Sequence, residues 1–365
     1  MNVCILGDAR SVHLQRIIPG LAARGIRVHL ITHNPSPVEG ATVERFRVPD
    51  FGIRHVGRWH GRWRQMLRRL MRRYDVVHVH FLHDWGITPE IAAEGVFLVT
   101  PWGSDIVDPP GEDPPSLDLV DLRRALLRCA DGVTACGPWF AGAIARFAGI
   151  DAACVAVLPL GVDTSVFKPP SPPRSHGRAV LRVGFFKGFR PVYGPTYLIR
   201  AIPTVIDVCP DVRFDLVGDG PQRLACVELA ARLEVEPYLF FAPPQPHRNV
   251  ANYLAGWDVS VIPSLCESFG VAALESSAAG VPVVASRVGG LVDTVIHGQT
   301  GLLTPPAAPE QLADAIITLL RNPQMRRRMG EEGRRFVCER FEWSEILDEW
   351  VETYQRVREC KAVMV

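Results

Sequence analysis

One arrangement occurs twice along the sequence: short apolar runs alternate with stretches that have helical periodicity. At the start of the chain, apolar runs at 3–6 and 28–32 flank a helical pattern at 13–23, and Gly7 with Asp8 forms the first turn. After residue 180 the alternation returns, with predicted strands at 181–186, 213–217, 238–241, 259–262 and 281–285. Strands that alternate with helices predict a parallel, doubly wound sheet that binds ligands at the carboxyl ends of its strands.

A proline-rich segment separates the two halves. It has the sequence KPPSPPRSHG at 168–177 and lacks large apolar side chains, which predicts a stiff linker. A chain of 365 residues also exceeds the usual size of one domain. We therefore predict an N-terminal domain at 1–167 and a C-terminal domain at 178–343, followed by an amphipathic helix within 344–365.

The composition argues against several classes of protein. A net charge of +1 gives no overall attraction to nucleic acid or to a membrane. The nine cysteines have no paired spacing, so they indicate neither a zinc site nor a disulfide framework, and reduced thiols in the cytoplasm are expected. Asp8 and Arg10 interrupt the first apolar run, which argues against a signal peptide. No run approaches the roughly 20 apolar residues that span a bilayer.

The segment PSLCESFGVAALESSAAGVPVVASRVGG, which begins at Pro263, contains two carboxylates eight residues apart, Glu267 and Glu275. They flank a predicted turn from a buried strand into a helix. A helix start favours an anionic ligand such as phosphate, whereas carboxylates beside it are suited to accept hydrogen bonds from sugar hydroxyls. The alternative is that Glu267 caps the helix and Glu275 lies on a solvated face; the small-residue helix and Gly270 favour a binding site.

This segment resembles the nucleotide-sugar signature of the retaining glycosyltransferases of family 4, which have the GT-B fold. The resemblance implies two Rossmann-like α/β domains that face a central cleft, with the final helix crossing back to the first domain. It also implies that Glu267 contacts the transferred sugar and Glu275 the ribose of the donor. The backbone at Ser268, Phe269, Gly270 and Val271 is then expected to face the diphosphate.

Other residues of the second half enter through the same resemblance. Gly218 and Gly220 match a glycine-rich turn near the nucleotide, although many such turns only reverse the chain. The family usually has an arginine and a lysine after the first strand of this domain, and here those places hold Gly188 and Tyr193.

Two neighbouring cations are the substitutes for that missing pair. We assign the neutralisation of the leaving diphosphate to Lys187 and Arg190, with ordinary solvent-facing loop cations as the alternative. No Asp-x-Asp motif occurs, so neither a metal nor another cofactor is predicted, and the protein itself must stabilise the departing phosphate.

In the first half the resemblance points to the loop after the strand at 97–100. Many relatives have a histidine there, whereas this chain has Trp-Gly-Ser-Asp, so Asp105 is the candidate substitute or else a helix cap. Gly7, Asp8 and His13 are candidates for the acceptor side, although a histidine early in a helix is often only a surface residue. Histidines at 78, 80 and 83 indicate zinc weakly, because no cysteines or carboxylates accompany them.

Residues 54–73 combine eight arginines with tryptophan, methionine and leucine at near-helical spacing. Such a helix suits an anionic membrane surface. Nucleic-acid binding is a competing hypothesis. The third hypothesis is an ordinary domain helix whose arginines face water. The resemblance favours the inner face of the cytoplasmic membrane over nucleic acid, since many relatives act on lipid-linked sugars.

The predicted activity is retaining, metal-independent transfer of a sugar from a nucleotide diphosphate sugar to an acceptor hydroxyl, with lipid-linked acceptors included. Two other functions remain open. Nucleotide-sugar 2-epimerases share the two-domain architecture, and a non-catalytic partner of another transferase would explain the altered cation places at Gly188 and Tyr193. The presence of both Glu267 and Glu275 argues against the partner reading.

Overall fold

A computed structural model describes residues 1–46, 60–83, 85–108, 110, 114–171 and 180–364. The chain forms two compact units. The first contains the residues up to Pro159 together with the segment from Ser344, and the second runs mainly from Leu160 to Trp343. Residues 172–177 of the expected linker lie outside the described residues.

In its described residues, the first unit contains a seven-stranded parallel sheet. Its strands are β1 (Asn2–Leu6), β2 (Arg27–Thr32), β3 (Ala41–Arg45), β4 (Val76–His80), β5 (Phe97–Thr100), β6 (Gly132–Ala135) and β7 (Val155–Val157). The helices between them are α1 (Leu14–Ala23), α2 (His60–Arg73), α3 (Pro89–Ala92), α4 (Leu117–Cys129) and α5 (Pro138–Ala148). The central strands β1, β4 and β5 are apolar and almost wholly buried, as expected for a sheet covered on both faces.

In the second unit, the described residues form a six-stranded parallel sheet. Its strands are β8 (Leu181–Phe186), β9 (Val212–Val217), β10 (Leu239–Ala242), β11 (Val259–Ile262), β12 (Val283–Ser286) and β13 (Gly301–Thr304). The helices are α6 (Pro195–Val208), α7 (Arg223–Arg232), α8 (His247–Leu254), α9 (Val271–Ala278), α10 (Leu291–Thr294), α11 (Pro309–Arg321) and α12 (Pro323–Arg340). The last helix, α13 (Trp343–Met364), belongs almost entirely to the first unit, where Arg24 pairs with Asp348.

The two sheets share one strand order. The first runs β3-β2-β1-β4-β5-β6-β7 and the second β10-β9-β8-β11-β12-β13. In both, the chain starts in the middle, builds outward on one side and then returns to build on the other. The order therefore reverses between β1 and β4 and again between β8 and β11, and these switch points are where open α/β sheets bind ligands.

The predicted α/β class with two Rossmann-like, doubly wound domains is confirmed. The strands expected at 97–100, 181–186 and 259–262 have those bounds in the structure. The outer strands β3, β6, β7 and β13 were not predicted. They are three to five residues long. Strand β3 is mostly exposed and β7 has one buried residue, whereas β6 and β13 are mostly buried but combine glycine and threonine with only two other apolar residues each, so none contains a long apolar run.

The second unit begins earlier than the expected boundary at residue 168. The Val162 N–H donates to the carbonyl of Phe341 at 2.7 Å, and the Trp343 N–H donates to the carbonyl of Val162 at 3.0 Å. These bonds tie residues before the proline-rich segment to the end of the second unit. Among the described residues, no helix combines the length and apolar character needed to cross a bilayer.

Candidate functional site

The loops after β8 and β11 meet at the switch point of the second sheet. Lys187 directly follows β8 and Glu267 lies five residues beyond β11, and their ammonium and carboxylate groups form an ion pair. The Ser264 hydroxyl donates to the same carboxylate oxygen at 3.3 Å. Only 12% of the Lys187 side chain and 13% of the Glu267 side chain are exposed, so solvent screens this pair much less than a surface pair.

Backbone contacts hold these two loops together. The Leu265 N–H donates to the carbonyl of Val192 at 2.7 Å. Gly194 has a φ of +62°, and a Cβ atom there would lie 2.1 Å from the carbonyl oxygen of Pro263. Only glycine tolerates both the left-handed backbone and this close approach. The meeting of Lys187 with Glu267 is therefore built into the backbone.

The glycine-rich turn after β9 packs against the backbone of the loop that contains Lys187. Gly218 and Gly220 have φ values of +146° and +154°. A Cβ atom on Gly218 would lie 2.2 Å from the carbonyl oxygen of Lys187, and one on Gly220 would lie 2.7 Å from that of Phe189. The Phe189 N–H also donates to the carbonyl of Asp219 at 2.9 Å. These glycines allow one backbone to pack directly on another.

Tyr193, at the place where the family usually has a lysine, lies against Lys187. The Lys187 ammonium is 4.3 Å from the centroid of the Tyr193 ring, within the range of a cation–π interaction. Gly188 leaves room beside that ring, since a Cβ there would meet its edge only at 3.7 Å. Arg190, the second candidate cation, is exposed in the same loop. Lys187 is thus the more buried of the two.

The helix α9 begins beside Glu267. Its N-cap is Gly270 with a φ of +102°, and Phe269 before it is buried. Gly290 donates its N–H to the carbonyl of Glu267 at 2.9 Å, and the Thr294 hydroxyl donates to the carbonyl of Phe269 at 3.2 Å. The first N–H groups of a helix lack partners within it and carry the positive end of its dipole. This position is suited to an anionic group of a ligand.

Glu275 lies in the second turn of α9 and is paired with a residue that the sequence did not single out. Its side chain accepts a hydrogen bond from His247 Nε2 at 2.5 Å, and the His247 ring contacts Phe167 with a centroid distance of 5.1 Å. Glu275 is only 4% exposed, which excludes the solvated-face alternative. His247 is the first residue of α8 and follows the carboxyl end of β10, and that position is the signal that could have identified it.

At the switch point of the first sheet, Gly7, Asp8 and His13 lie in the turn between β1 and α1. Burial alone would raise the pKa of Asp8, but hydrogen bonds from Arg10 and Asn34 outweigh it and lower that pKa below the usual value. A Cβ on Gly7 would lie 2.5 Å from a methyl carbon of Leu14, so the turn packs tightly on the helix.

Asp105 is buried and accepts three backbone hydrogen bonds. The donors are the N–H groups of Leu82, Trp102 and Gly103, at 3.0, 3.0 and 2.9 Å. Burial nevertheless raises the pKa of this carboxyl group. All three donors precede Asp105 in the chain, whereas a helix-capping side chain accepts from N–H groups that follow it, so these contacts are not those of a helix cap. Asp105 instead organises the loop that carries Trp102.

Aromatic and imidazole rings cover the same sheet end. Trp102 stacks on His13 at 4.8 Å and on His80 at 5.6 Å between centroids. His80 Nε2 lies 3.1 Å from His78 Nδ1, and burial lowers the pKa of His80 to about 3 and that of His78 well below its usual value. Both are therefore neutral at pH 7. The described part of the chain contains no group of three or more side chains arranged to hold a metal ion.

Both halves of the chain are similar to known glycosyltransferases. Residues 180–336 match the family model for glycosyl transferases group 1, and residues 11–166 match the model for glycosyltransferase family 4. A D-inositol 3-phosphate glycosyltransferase of Acidothermus cellulolyticus is 35% identical over 210 residues, which is 53% of this chain and 46% of that protein. The enzyme of the same name from Kribbella flavida is 28% identical over 368 residues, covering 89% of this chain and 86% of that protein.

Solved structures show the same fold. Sucrose-phosphate synthase from Thermosynechococcus elongatus superposes with a TM-score of 0.79 at 22% identity, covering 99% of this chain and all of that one. Anabaena Alr3699/HepE, solved in complex with UDP and glucose, also has a TM-score of 0.79 and 22% identity, with 98% and 100% coverage. The chain belongs to the family 4, group 1 glycosyltransferases and has the GT-B fold, as its sequence indicated.

Proposed function

We propose that this protein transfers a sugar from a nucleoside diphosphate sugar to an acceptor hydroxyl with retention of configuration at the anomeric carbon. One observation carries the proposal: Lys187, Glu267 and the start of α9 converge at the switch point between β8 and β11. A cation, a carboxylate and unpaired helix N–H groups are the chemistry that a sugar diphosphate requires. Family membership supports the reaction class.

The donor would occupy this site in a defined direction. The amides at the start of α9, from Ser268 to Val271, would bind the diphosphate, and Glu267 would accept hydrogen bonds from hydroxyls of the transferred sugar. Glu275 would accept the ribose hydroxyls, with His247 holding its carboxylate in place. Because the similar Anabaena protein was solved with UDP, a uridine donor is the first to test.

Lys187 would stabilise the negative charge on the leaving diphosphate, and the exposed Arg190 would assist it. In the structure the Lys187 ammonium is paired with Glu267 and lies on the Tyr193 ring. An arriving donor offers both partners a replacement, since its phosphate oxygens can take the lysine while its sugar hydroxyls take the glutamate. Tyr193 would keep the ammonium in place while this exchange occurs. Because the chain has no Asp-x-Asp motif, we propose that these cations stabilise the charge of the leaving diphosphate, as a metal ion does in other transferases.

Retention would follow from departure and attack on the same face of the sugar. The bond from the anomeric carbon to the leaving phosphate oxygen breaks while the acceptor oxygen forms the new bond, and the leaving phosphate takes the acceptor proton. The protein then contributes positioning and charge stabilisation rather than a nucleophile.

We further propose that the first domain binds the acceptor, with Gly7, Asp8 and His13 beside it and Asp105 holding the Trp102 loop. The acceptors to test are lipid-linked sugars, which would place the protein at a membrane surface, and inositol 3-phosphate, named in two similar proteins. Residues 54–59 of the proposed membrane segment lie outside the described residues, as does the side chain of Trp63.

The experiment is incubation of the purified protein with UDP-sugars, with and without these acceptors, followed by mass spectrometry and NMR of the anomeric proton. A product with the donor's anomeric configuration supports the proposal, whereas an inverted product contradicts retention. Epimerised donor in the absence of acceptor would identify an isomerase instead. Tight nucleotide binding without turnover on any acceptor would favour the non-catalytic partner.

A further inference from the structure

The helix α2 has two arginine-bearing faces with different surroundings. Arg68 and Arg72 each pair with Glu94 at 3.0 Å, and Arg64 reaches Glu90 at 4.0 Å. These three arginines are therefore matched by carboxylates on and just after α3. Arg69 and Arg73 lie elsewhere on the helix, and no ion pair with another described residue engages either of them.

Arg69 and Arg73 instead line a cavity of about 670 Å³ between α2 and the ends of β2 and β3. Arg45, the last residue of β3, is a third arginine in its lining and also lacks an ion pair among the described residues. All three are exposed, so their guanidinium groups are accessible to a ligand.

The remainder of the lining is largely apolar. Ile31, Phe46 and Leu70 are buried in its floor, while Met66 is 38% exposed at its edge. A cavity of this size is much larger than a phosphate ion needs and lies within the range of sites for organic ligands. An apolar floor beneath a cationic rim fits a molecule that has both a hydrocarbon part and an anionic part.

Among the described lining residues, Glu44 is the only carboxylate, and it lies beside a histidine. Glu44 lies 3.1 Å from His29 Nε2, and the other nitrogen of that ring contacts the hydroxyl of Tyr74. Burial lowers the pKa of His29 despite the neighbouring Glu44. Among the described lining residues, three guanidinium groups thus accompany a single carboxylate, which gives this part of the cavity an excess of positive charge.

We propose that this cavity binds a phosphorylated lipid, with its phosphate on Arg45, Arg69 and Arg73 and its hydrocarbon chain over Phe46, Met66 and Leu70. Arginine is the residue best suited to phosphate, because its planar donors contact two oxygens at once. The hydrocarbon chain would supply the affinity that exposed arginines alone do not, through burial of apolar surface. The proposal concerns binding only and does not depend on the proposed glycosyl transfer.

The test uses dodecyl phosphate below its micellar concentration as the probe, with the full-length protein and isothermal titration calorimetry. Inorganic phosphate tests the head group alone, and dodecyl maltoside tests the chain alone. We expect dodecyl phosphate to bind, and each of the other two to bind at least about tenfold more weakly. Inorganic phosphate that binds as tightly as dodecyl phosphate would overturn the lipid assignment and indicate a free-anion site.

Two double variants of the same helix make a matched comparison. R69Q with R73Q removes two charges that line the cavity, whereas R68Q with R72Q removes two charges that pair with Glu94. The cavity variant should lose about tenfold or more in affinity for dodecyl phosphate, because each charged hydrogen bond contributes at least that much. The control should change by less than about twofold. Equal losses would mean general charge attraction and would overturn the proposal.

A second pair of variants keeps the test valid if the double variant does not fold, which circular dichroism reports. R45Q lies on a strand end rather than on the helix and should weaken dodecyl phosphate in the same direction. M66S, at the exposed edge, should weaken dodecyl phosphate while leaving the weak binding of inorganic phosphate unchanged. Normal affinity in both R45Q and M66S would contradict the proposed pose.

Discussion

The two sheets have the same strand order, yet their switch points are built from opposite chemistry. Between β8 and β11 the side chains are polar and paired: Lys187 forms an ion pair with Glu267, and nearby His247 is hydrogen-bonded to Glu275. Between β1 and β4 the strand ends are covered by neutral rings, with His80 buried beneath Trp102. One topology thus presents the Lys187–Glu267 ion pair in one domain and, in the other, a stack of neutral rings beside the exposed Asp8–Arg10 pair.

This difference matches the division of labour that we propose. A departing diphosphate develops charge, which preorganised cations and amides stabilise. An acceptor hydroxyl carries no charge, so stacked neutral rings suit the surface beside it. The comparison predicts that substitutions at the β8–β11 switch point act on ligand binding and turnover. Those at the β1–β4 switch point are expected to act first on stability and its dependence on pH.

The largest effect is expected from Lys187→Ala. Removing one group that stabilises developing charge typically lowers turnover by roughly two to three orders of magnitude. The loss should appear mainly in kcat, because the interaction strengthens in the transition state. Steady-state kinetics with a UDP-sugar would measure it. Arg190→Ala is the matched control in the same loop and should cost much less, since that side chain is exposed. A larger effect from Arg190→Ala would reverse the assignment.

Glu275→Gln should act on nucleotide affinity rather than on turnover. If the carboxylate holds ribose hydroxyls, losing its charge should weaken UDP binding by about tenfold to a hundredfold. The glutamine can still accept the hydrogen bond from His247, which protects the fold. Glu331→Ala, which removes an exposed carboxylate paired with Arg327, serves as the control for charge alone. Calorimetry that finds UDP affinity unchanged in Glu275→Gln would disprove the ribose role.

These residues differ in how far the sequence alone could identify them. Glu267 and Glu275 were recognisable because their spacing and the small-residue helix lie within one continuous segment. His247 is 28 residues from Glu275 and follows a proline-rich loop, so only the packing of α8 brings the two together. The contact of Tyr193 with Lys187 depends on the direction of one flexible side chain, which no local pattern specifies.

The strands, like the site residues, could be predicted only where a continuous stretch of sequence carries the pattern. Central strands such as β8 and β11 are mainly apolar, so their bounds could be predicted from the sequence. The exposed pattern of β3 carries no such signal, and its place at the sheet edge is set by pairing with β2. Local patterns therefore predicted the central strands and one candidate binding segment, while tertiary contacts determined the rest.

Acid should destabilise the first domain through its buried histidines. The pKa of His80 is about 3 in the folded protein against roughly 6.5 when unfolded, so the unfolded state binds more protons between these values. Stability is then lost as the pH falls below about 6.5, by about 1.4 kcal/mol per pH unit for this residue. Between pH 7 and pH 5 the loss is about 2 kcal/mol. Urea unfolding of the wild type and His80→Phe would measure it.

The phenylalanine variant keeps an aromatic ring between Trp102 and Trp350 but has no group that titrates. It also loses the hydrogen bond to His78, a cost that is the same at both pH values while His78 stays neutral. The slope with pH, rather than the stability itself, is therefore the quantity to compare. We expect a shallower slope in His80→Phe. Equal slopes would show that His80 is not kept neutral by burial and would weaken the contrast between the two switch points.

The smallest effect is expected at Tyr193, whose ring holds the Lys187 ammonium at 4.3 Å. A cation–π contact contributes about 0.5–2 kcal/mol, so Tyr193→Leu should lower kcat by about twofold to thirtyfold with little change in KM. Tyr193→Phe keeps the ring face and should behave like the wild type. If Phe lowers kcat as much as Leu, the hydroxyl must contact the ligand directly. Lys187 would then owe its position to Glu267 and the backbone alone, and the charged switch point would need no aromatic support.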